Sequence, residues 1–200
     1  MTAPRPSTRV KARTEDAALV RGRHLYLRHL HPADEREWID LRQQSRAHLM
    51  PWDPLPPPGQ DLYGQTGFQR HLATSNTELN QRHLVVRRAD EVIIGMVNLS
   101  QICRGPFDNA IMGYWIGLPH IRLGYGVEAV KLCLRRAFAE LSLHRVEANI
   151  MPRNAASLAL VRRVGFRFEG ISPRYLQIAG TWEDHTRWAI TREDFSSPRA

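Results

Sequence analysis

The sequence predicts a mixed α/β (α+β) domain with a mostly antiparallel central sheet and helices packed against it. Segments 83–88, 92–100 and 110–116 have the length and alternation of strands, and the first two lie close enough to form a hairpin. The segment that follows carries apolar residues at three- and four-residue intervals, as an amphipathic helix does. A short strand at residues 144–150 comes next. If the strands flanking the helix are neighbours, this crossover makes them parallel.

Size and composition indicate one compact domain. The chain has 200 residues, of which 42% are hydrophobic, and neither a bilayer-spanning apolar run nor a secretory signal is evident. We therefore expect a cytoplasmic protein without a membrane partner. The folded domain is expected over residues 21–194, between a basic disordered tail at residues 1–20 and a flexible tail at residues 195–200.

Charge and cysteine content narrow the classes of partner. The net charge of +8 favours acidic partners such as nucleotides, nucleic acid or ribosomes. The basic residues are scattered rather than interleaved with aromatic residues, so direct nucleic-acid recognition is not expected. Cys103 and Cys133 lack the spacing of a zinc or redox pair, so we expect neither a disulfide nor a metal site.

The elements before the sheet are predicted to be helical. Asp34 is expected to cap a helix whose apolar positions include Trp38 and Leu41, and a second helix is expected over residues 61–72. These helices could form a flap over a site. Gly95 interrupts the strand at 92–100 and predicts a bulge or a close backbone approach.

The stretch from Trp115 to Val127 leads from an apolar strand through a glycine-containing turn into the amphipathic helix. Gly124 and Gly126 can adopt backbone angles that other residues rarely adopt, so consecutive amide N–H groups can face one anion at the positive end of the helix dipole. This pattern suggests a phosphate-binding turn. Glycines also join strands to helices for geometric reasons alone, so the turn by itself leaves both interpretations open.

The C-terminal third contains one further helix and short strands. The helix is predicted over residues 155–164, and Gly165 stands at the usual C-terminal position. A strand at 166–169 and two more around residues 178–181 complete the domain. On the long helix after the glycine turn, the polar side is expected to carry Arg135, Arg136 and Glu140.

An ordered set of motifs along the chain matches one known family. The motifs are Gly-Tyr-Trp-Ile at Gly113–Ile116, the turn Ile121–Gly126, and the segments Leu143–Glu147, Asn154–Ser157, Val164–Phe166 and Glu169–Gly170. Over residues 23–194 the chain resembles the GCN5-related N-acetyltransferases (GNAT), and within them the RimJ/RimL-like group that acetylates protein N-termini. The resemblance implies the GNAT fold, in which the central sheet opens into a V-shaped splay.

The same resemblance implies acetyl-CoA as the acetyl donor. Its pyrophosphate would bind main-chain amides of the glycine turn, and its pantetheine arm would lie along the end of the preceding strand. The cofactor-binding residues implied are Trp115, Ile116, Ile121, Arg122, Leu123, Gly124, Tyr125, Gly126, Val127 and Asn154. Ile121 departs from the Gln or Arg usual in the family, which matters little if main-chain groups bind the phosphates. Asn154 would contact the pantetheine arm, be a helix cap, or do both.

The catalytic residues are less clearly indicated. Ser157 matches the position from which RimL-like enzymes are thought to protonate the leaving thiolate, although a serine there can also be a back-bonding or surface residue. Val161 replaces the tyrosine that many relatives carry in this helix, and Arg174 replaces a glutamate suggested as base in some. Glu147 is the best-placed carboxylate, with a structural pairing to an arginine as the alternative. Further candidates for the base are Asp53, Glu183 and His185.

Amine chemistry favours a protein N-terminus as acceptor. An α-amine with a pKa of about 7.7–8.0 is roughly 10–20% neutral at pH 7, whereas a lysine amine with a pKa near 10.4 is neutral for less than about 0.1%. A sequence with no evident acid or base cluster therefore fits an α-amine, such as that of a ribosomal protein. Polyamines and drugs stay open as small-molecule acceptors, and so does an oligomeric state.

Two other functions stay open. The pattern Gly124-x-Gly126-x-x-Ala129 also fits an NAD(P)-binding oxidoreductase, with Glu147 at the distance of a ribose contact. In a Rossmann fold the glycines follow their strand directly, whereas residues 117–123 intervene here. A non-catalytic acyl-CoA-binding or ribosome-associated module is the other alternative. Only an acetyltransferase would add an acetyl group to a peptide, which mass spectrometry would detect.

Overall fold

A single sheet forms the centre of the computed structural model, which describes residues 14–196. The strands are β1 (Val20–Arg21), β2 (Leu25–Arg28), β3 (Asn80–Arg87), β4 (Ile93–Cys103), β5 (Asn109–Ile116), β6 (Arg145–Ile150), β7 (Arg167–Ile178) and β8 (Thr181–Thr191). They form an 8-stranded sheet in the order β1-β2-β3-β4-β5-β6-β8-β7. The predicted mixed fold with a mostly antiparallel sheet is confirmed.

Helices cover both faces of the sheet. They are α1 (Glu35–Gln44), α2 (Arg46–Leu49), α3 (Gln65–Ala73), α4 (Tyr125–Ala139), α5 (Ala155–Val164) and α6 (Arg192–Ser196). The larger apolar cluster packs α4 and α5 against the sheet, and a second cluster packs α1 and α3 through Trp38 and Phe68. None of the helices between residues 14 and 196 combines the length and apolar character that crossing a bilayer requires.

The sheet opens between β5 and β6, its parallel pair. These strands pair only from Asn109 to Ile111, opposite Arg145 to Glu147. Beyond that point β5 stays paired with β4 as far as Ile116, and β6 stays paired with β8 as far as Ile150. The strands therefore diverge and leave a V-shaped opening, as the family resemblance implies.

The bulge expected at Gly95 is present. The pairing of β3 with β4 shifts register at this point, where Val85 lies opposite Gly95 and Val86 opposite Ile93. A Cβ atom added to Gly95 would lie 2.3 Å from the main-chain oxygen of Trp115. Glycine is therefore required here because the backbones of β4 and β5 approach closely.

Two side chains, one predicted as a helix cap and one on the polar side of a helix, are buried. Asp34 stands at the N-cap position of α1 but makes no side-chain cap hydrogen bond to it. Its carboxylate accepts from Arg28 at 2.7 and 2.8 Å and from the main-chain N–H of His31 at 2.8 Å, and the side chains of Arg28 and Asp34 are buried. Arg136 leaves the polar side of α4 and donates from Nε to Nε2 of His83 at 3.1 Å. His83 lies on β3, 53 residues before Arg136, so this contact cannot be read from local sequence, whereas Arg28 ends β2 only 6 residues before Asp34.

Some predicted boundaries also change. Strand β7 is one continuous element with two register irregularities, rather than a short strand and part of a second one. Residues 15–17 form a short 3-10 helix and β1 begins at Val20, both within the segment predicted as the N-terminal tail. The remainder of the predicted N-terminal tail, residues 1–13, and residues 197–200 of the C-terminal tail lie outside the described residues.

Candidate active site

The glycine turn joins β5 to α4 through a main-chain arc with left-handed residues. Gly124 precedes α4 with φ +82°, and a Cβ atom there would meet nothing within 4 Å, so the backbone angle itself calls for glycine. A Cβ atom on Gly126 would lie 2.8 Å from Cδ1 of Leu160 in α5. The two glycines therefore serve different purposes, one for the turn and one for the close packing of α4 and α5.

The main-chain N–H groups of residues 124–127 have no hydrogen-bond acceptor within the described part of the chain, as is usual at the first turn of a helix. They lie at the N-terminus of the 15-residue helix α4, where the helix dipole favours an anion. A groove of about 510 Å³ opens onto this turn. Its described lining has no carboxylate and carries Arg122, Arg163, His48 and His120. We refer to it as the anion groove, since its donors and its charge both fit a phosphate group.

The structure brings most of the predicted cofactor residues to this groove. Its lining includes Ile116, Ile121, Arg122, Gly124, Gly126 and Val127. Trp115 directs its side chain to the opposite face of the sheet, where the ring lies under the guanidinium of Arg42, because neighbouring residues of a strand face opposite sides. Leu123 is exposed, and Tyr125 lines a separate pocket beside Arg87. Only main-chain groups of these three residues can serve the groove.

A second cavity of about 450 Å³ fills the opening between β5 and β6. We refer to it as the splay cavity. Parts of β4, β5, β6, β7 and β8 line it, together with the start of α5 and the segment around Trp52. Its polar lining consists of Asp53, Asn98, Ser100, Tyr114, Asn149, Asn154, Ser157, Gln177 and His185. Ser157 lines both the splay cavity and the anion groove, so it stands where the two meet.

Ser157 is held from two sides. Its main-chain N–H donates to Oδ1 of Asn154 at 3.1 Å, which makes Asn154 the N-terminal cap of α5. Its Oγ lies 2.5 Å from the phenolic oxygen of Tyr114. Burial raises the pKa of Tyr114 to about 12, so the phenol stays protonated near neutral pH and can donate to Oγ. The serine hydroxyl is then left to donate elsewhere.

Sequence reasoning missed Tyr114 as a functional residue, although it lies within the Gly113–Ile116 motif. Alternation along β5 was a usable signal. Ile116 faces the anion groove, so the residue two positions earlier faces the same side of the sheet. Val161 stands in α5 where many relatives carry a tyrosine. In this structure the phenol against Ser157 is that of Tyr114 from β5.

Glu147 is enclosed by positive charge. Its carboxylate lies 2.5 Å from Arg187 and 3.1 Å from Arg145, and it accepts a hydrogen bond from Asn109 at 3.2 Å. The side chain is buried and lines neither the anion groove nor the splay cavity. This arrangement matches the alternative interpretation of Glu147 as a structural partner of arginine.

Two other carboxylates proposed as bases are also paired. Asp53 accepts from Arg42 at 2.9 Å and from the phenol of Tyr63 at 2.5 Å. Glu183 accepts from Arg153 at 3.0 Å. The third candidate, His185, is buried, lines the splay cavity and contacts the main-chain oxygen of Glu183 through Nδ1.

The side chains that commonly bind metal ions are spread apart in the described part of the chain. Between residues 14 and 196 no three His, Cys, Asp or Glu side chains are grouped as a metal ion would require. Cys133 is buried in α4, where burial raises the pKa of its thiol to about 12, and Cys103 is exposed at the end of β4. Both thiols lie outside the anion groove and the splay cavity.

Comparison with known proteins identifies the family. Residues 24–167 match the family model described as the acetyltransferase (GNAT) domain. The chain belongs to the GNAT family. It is an N-acetyltransferase of the RimJ/RimL-like group, and the NAD(P)-binding alternative is wrong, since a Rossmann domain has a mostly parallel sheet.

Individual GNAT relatives agree with this grouping. The probable N-acetyltransferase YjcK of Bacillus subtilis is 33% identical over 88% of this chain and 98% of its own length. The [ribosomal protein uS5]-alanine N-acetyltransferase of Escherichia coli is 31% identical over 88% of this chain and 91% of its own length. The structure of Mycobacterium smegmatis RimJ in complex with CoA-disulfide superposes with a TM-score of 0.76 at 28% identity, covering 86% of this chain and 84% of RimJ.

Proposed function

We propose that this GNAT enzyme transfers the acetyl group of acetyl-CoA to the α-amine of a protein N-terminus, with a ribosomal protein as the substrate. The observation that carries the proposal is the position of Ser157 where the anion groove meets the splay cavity. One side of this residue suits a phosphate-bearing donor, and the other suits an acceptor. The E. coli relative, named for acetylating ribosomal protein uS5, supports the choice of substrate.

The donor site follows from the free main-chain groups of the turn. The N–H groups of residues 124–127 would hold the pyrophosphate of acetyl-CoA, and Arg122 and Arg163 add positive charge along the same groove. When bound, acetyl-CoA supplies a thioester whose acyl carbon accepts the amine and whose thiolate leaves. The groove leads to Ser157, so the reacting end of the donor would reach the splay.

Ser157 and Tyr114 would manage the proton of the leaving group. With Tyr114 as the donor to Oγ of Ser157, the serine hydroxyl hydrogen would point away from the phenol. That hydrogen is then available to the sulfur as negative charge develops on it. The cap formed by Asn154 fixes the start of α5 and with it the position of Ser157.

The charge of the splay cavity supports an N-terminus over a polyamine. Asp53 is the carboxylate among its described lining residues, and Arg42 and Tyr63 already occupy it. A polyamine would bring several ammonium groups into a cavity whose one carboxylate among the described lining residues is already paired. A peptide brings one reacting amine and neutral main-chain groups, for which Asn98, Asn149 and Gln177 offer amides.

A peptide panel incubated with acetyl-CoA and analysed by mass spectrometry tests the proposal. The panel holds a peptide with the N-terminal sequence of uS5, the same peptide with a blocked N-terminus and an internal lysine, and spermidine. We expect acetylation of the free N-terminus alone. Faster modification of the lysine or of spermidine would overturn the N-terminal assignment. Tight acetyl-CoA binding with no product from any acceptor would favour the non-catalytic module.

A further inference from the structure

His185 is a buried imidazole in the wall of the splay cavity. It lies on β8, opposite Ser172 of β7, and is 3% exposed. The same cavity is lined by Gly113 and Tyr114 of β5 and by Ser157 of α5. An acceptor amine in the cavity would therefore meet His185 on one wall and the proposed acetyl-transfer position on another.

The hydrogen bond of His185 determines which ring nitrogen carries the proton. Nδ1 lies 3.0 Å from the main-chain oxygen of Glu183. A carbonyl oxygen can only accept, so Nδ1 is the donor and bears the hydrogen. In the neutral ring, Nε2 then has a free lone pair. Within the described part of the chain Nε2 has no hydrogen-bond partner, so it is available to a molecule in the cavity.

Packing holds the imidazole in this orientation. The ring of Tyr175 from β7 lies 5.6 Å from that of His185, centroid to centroid. The phenol of Tyr175 accepts from Asn149 of β6 at 3.3 Å, which ties this aromatic pair to the sheet. Rotation that would bring Nδ1 into the cavity is therefore opposed by the hydrogen bond to Glu183 and by the contact with Tyr175.

The ionisable groups around His185 have other partners. Asp53, on the segment after α2, is bound by Arg42 and Tyr63. Glu183 on β8 is bound by Arg153 from the loop before α5, and Arg187 on β8 is bound to Glu147. Tyr114 on β5 contacts Ser157. Among the described lining residues, His185 therefore offers a basic atom, Nε2, that is not already paired with an arginine.

We propose that His185 is the general base that accepts the proton of the acceptor amine, an assignment that rests on the function proposed above. Nε2 first takes one proton from the ammonium form of the acceptor and passes it to solvent. As the neutral amine nitrogen then forms its bond to the acyl carbon, one N–H proton passes to Nε2. The C–S bond breaks, and the sulfur takes the hydroxyl proton of Ser157. His185 releases its proton to solvent, Ser157 regains one from solvent, and the products are an amide and a thiol.

The test measures, as a function of pH, the kcat/KM of His185→Ala and His185→Gln for the peptide that the wild type acetylates. Glutamine keeps polar atoms at the position of the ring but cannot take a proton, so it covers the case in which alanine prevents folding. His144→Ala is the matched control, because His144 is exposed and pairs with Glu193 outside both cavities. Calorimetry with acetyl-CoA and circular dichroism check that each variant retains its donor site and fold.

We expect both variants at position 185 to lose about 100-fold in kcat/KM near pH 7, in the range of general-base catalysis. The loss should shrink to below about tenfold near pH 9.5, where an α-amine with a pKa of about 7.7–8.0 is already neutral. Added imidazole should restore part of the activity of His185→Ala and leave His144→Ala unchanged. These results would support the base.

Other outcomes would overturn the assignment of His185 as the general base. A loss of the same size at both pH values without rescue by imidazole would assign His185 a structural role. Activity within about twofold of the wild type at pH 7 would remove it from the reaction, since a general base contributes far more. If the wild type acetylates no peptide, the proposed function fails and the base fails with it, whereas an active wild type with unaffected variants refutes the base alone.

Discussion

The anion groove and the splay cavity differ in how they are built. The groove takes much of its lining from one contiguous segment, residues 120–127, and its most distinctive groups are main-chain N–H donors. The splay cavity takes its lining from β4 to β8 and from segments far apart in the chain, and its distinctive groups are side chains. Donor binding should therefore depend on backbone conformation, and acceptor chemistry on individual side chains.

The two cavities also differ in charge, since the groove is positive and the splay cavity is nearly neutral. The groove carries two arginines, Arg122 and Arg163, and no carboxylate in its described lining. The splay cavity carries Asp53, already paired, and the imidazole of His185. A positive groove attracts a phosphate-bearing donor, and a nearly neutral cavity suits an amine that must lose its proton to react. Substitutions that separate backbone effects from side-chain effects test this contrast.

The largest effect is expected from Gly124→Val, which should weaken acetyl-CoA binding by up to about 100-fold. A β-branched residue at this positive φ costs on the order of 1–3 kcal/mol, and relaxing the strain moves the N–H donors away from the phosphates. Calorimetry with acetyl-CoA measures the change. Gly105→Val is the matched control, since Gly105 has φ +78° and equally open surroundings outside both cavities. Equal affinity of the two variants would show that the turn does not hold the donor.

Ser157→Ala should lower kcat by about 100-fold and leave the dissociation constant of acetyl-CoA within about twofold, because the hydroxyl acts on the leaving sulfur rather than on the phosphates. Steady-state kinetics and calorimetry separate the two quantities. Ser142→Ala, at an exposed serine after α4, serves as the control.

A substitution of Tyr114, which contacts Ser157, extends the test of the serine. Tyr114→Phe removes the phenol that contacts Oγ, and we expect a kcat about tenfold below that of the wild type. Because Tyr114 acts through Ser157, the double variant should be no slower than Ser157→Ala alone. Losses that multiply in the double variant would mean that the two residues act independently.

Glu147→Gln should change kcat/KM by less than about twofold, because Glu147 lies outside both cavities. It should lower the free energy of unfolding by about 2 kcal/mol, because it breaks a buried charge cluster. Urea denaturation and peptide kinetics supply the two values. A stable variant with about 100-fold slower turnover would instead support Glu147 as the catalytic base predicted from its position on β6.

Mild acid should destabilise the folded domain. Burial, followed by the charge of Arg136, lowers the pKa of both His83 and His29, and burial lowers the pKa of His71 in α3 to about 3. Below about pH 6.5 the unfolded chain therefore binds protons that the folded chain does not, so the free energy of unfolding falls as pH falls.

Urea denaturation at pH 7 and pH 5 measures this effect. His83→Gln retains an acceptor for Arg136 and removes one of the titrating groups, so its stability should fall less over the same interval. The slope per buried histidine is at most about 1.4 kcal/mol per pH unit. An identical loss in the wild type and the variant would show that His83 does not contribute.

Several features of the molecule followed from local pattern. The strands at β3 to β5, the parallel crossover through α4, the bulge at Gly95 and the end of α5 at Gly165 were all predicted from alternation, helical spacing and glycine positions. The left-handed turn at Gly124 was predicted for the same reason. Such features depend on residues within a few positions of one another, whose conformational preferences act before any tertiary contact forms.

The tertiary structure alone decided which side chains meet. Tyr114 reaches Ser157 across 43 residues of sequence, and Arg187 reaches Glu147 across 40. Asp34, predicted as a helix cap, is buried against Arg28, and His185 lines the splay cavity. The sequence by itself determined the main-chain elements and the left-handed turn at Gly124, because these arise from short-range periodicity and backbone freedom. The splay cavity arises where strands from distant parts of the chain diverge, so its chemistry depends on packing that no local pattern encodes.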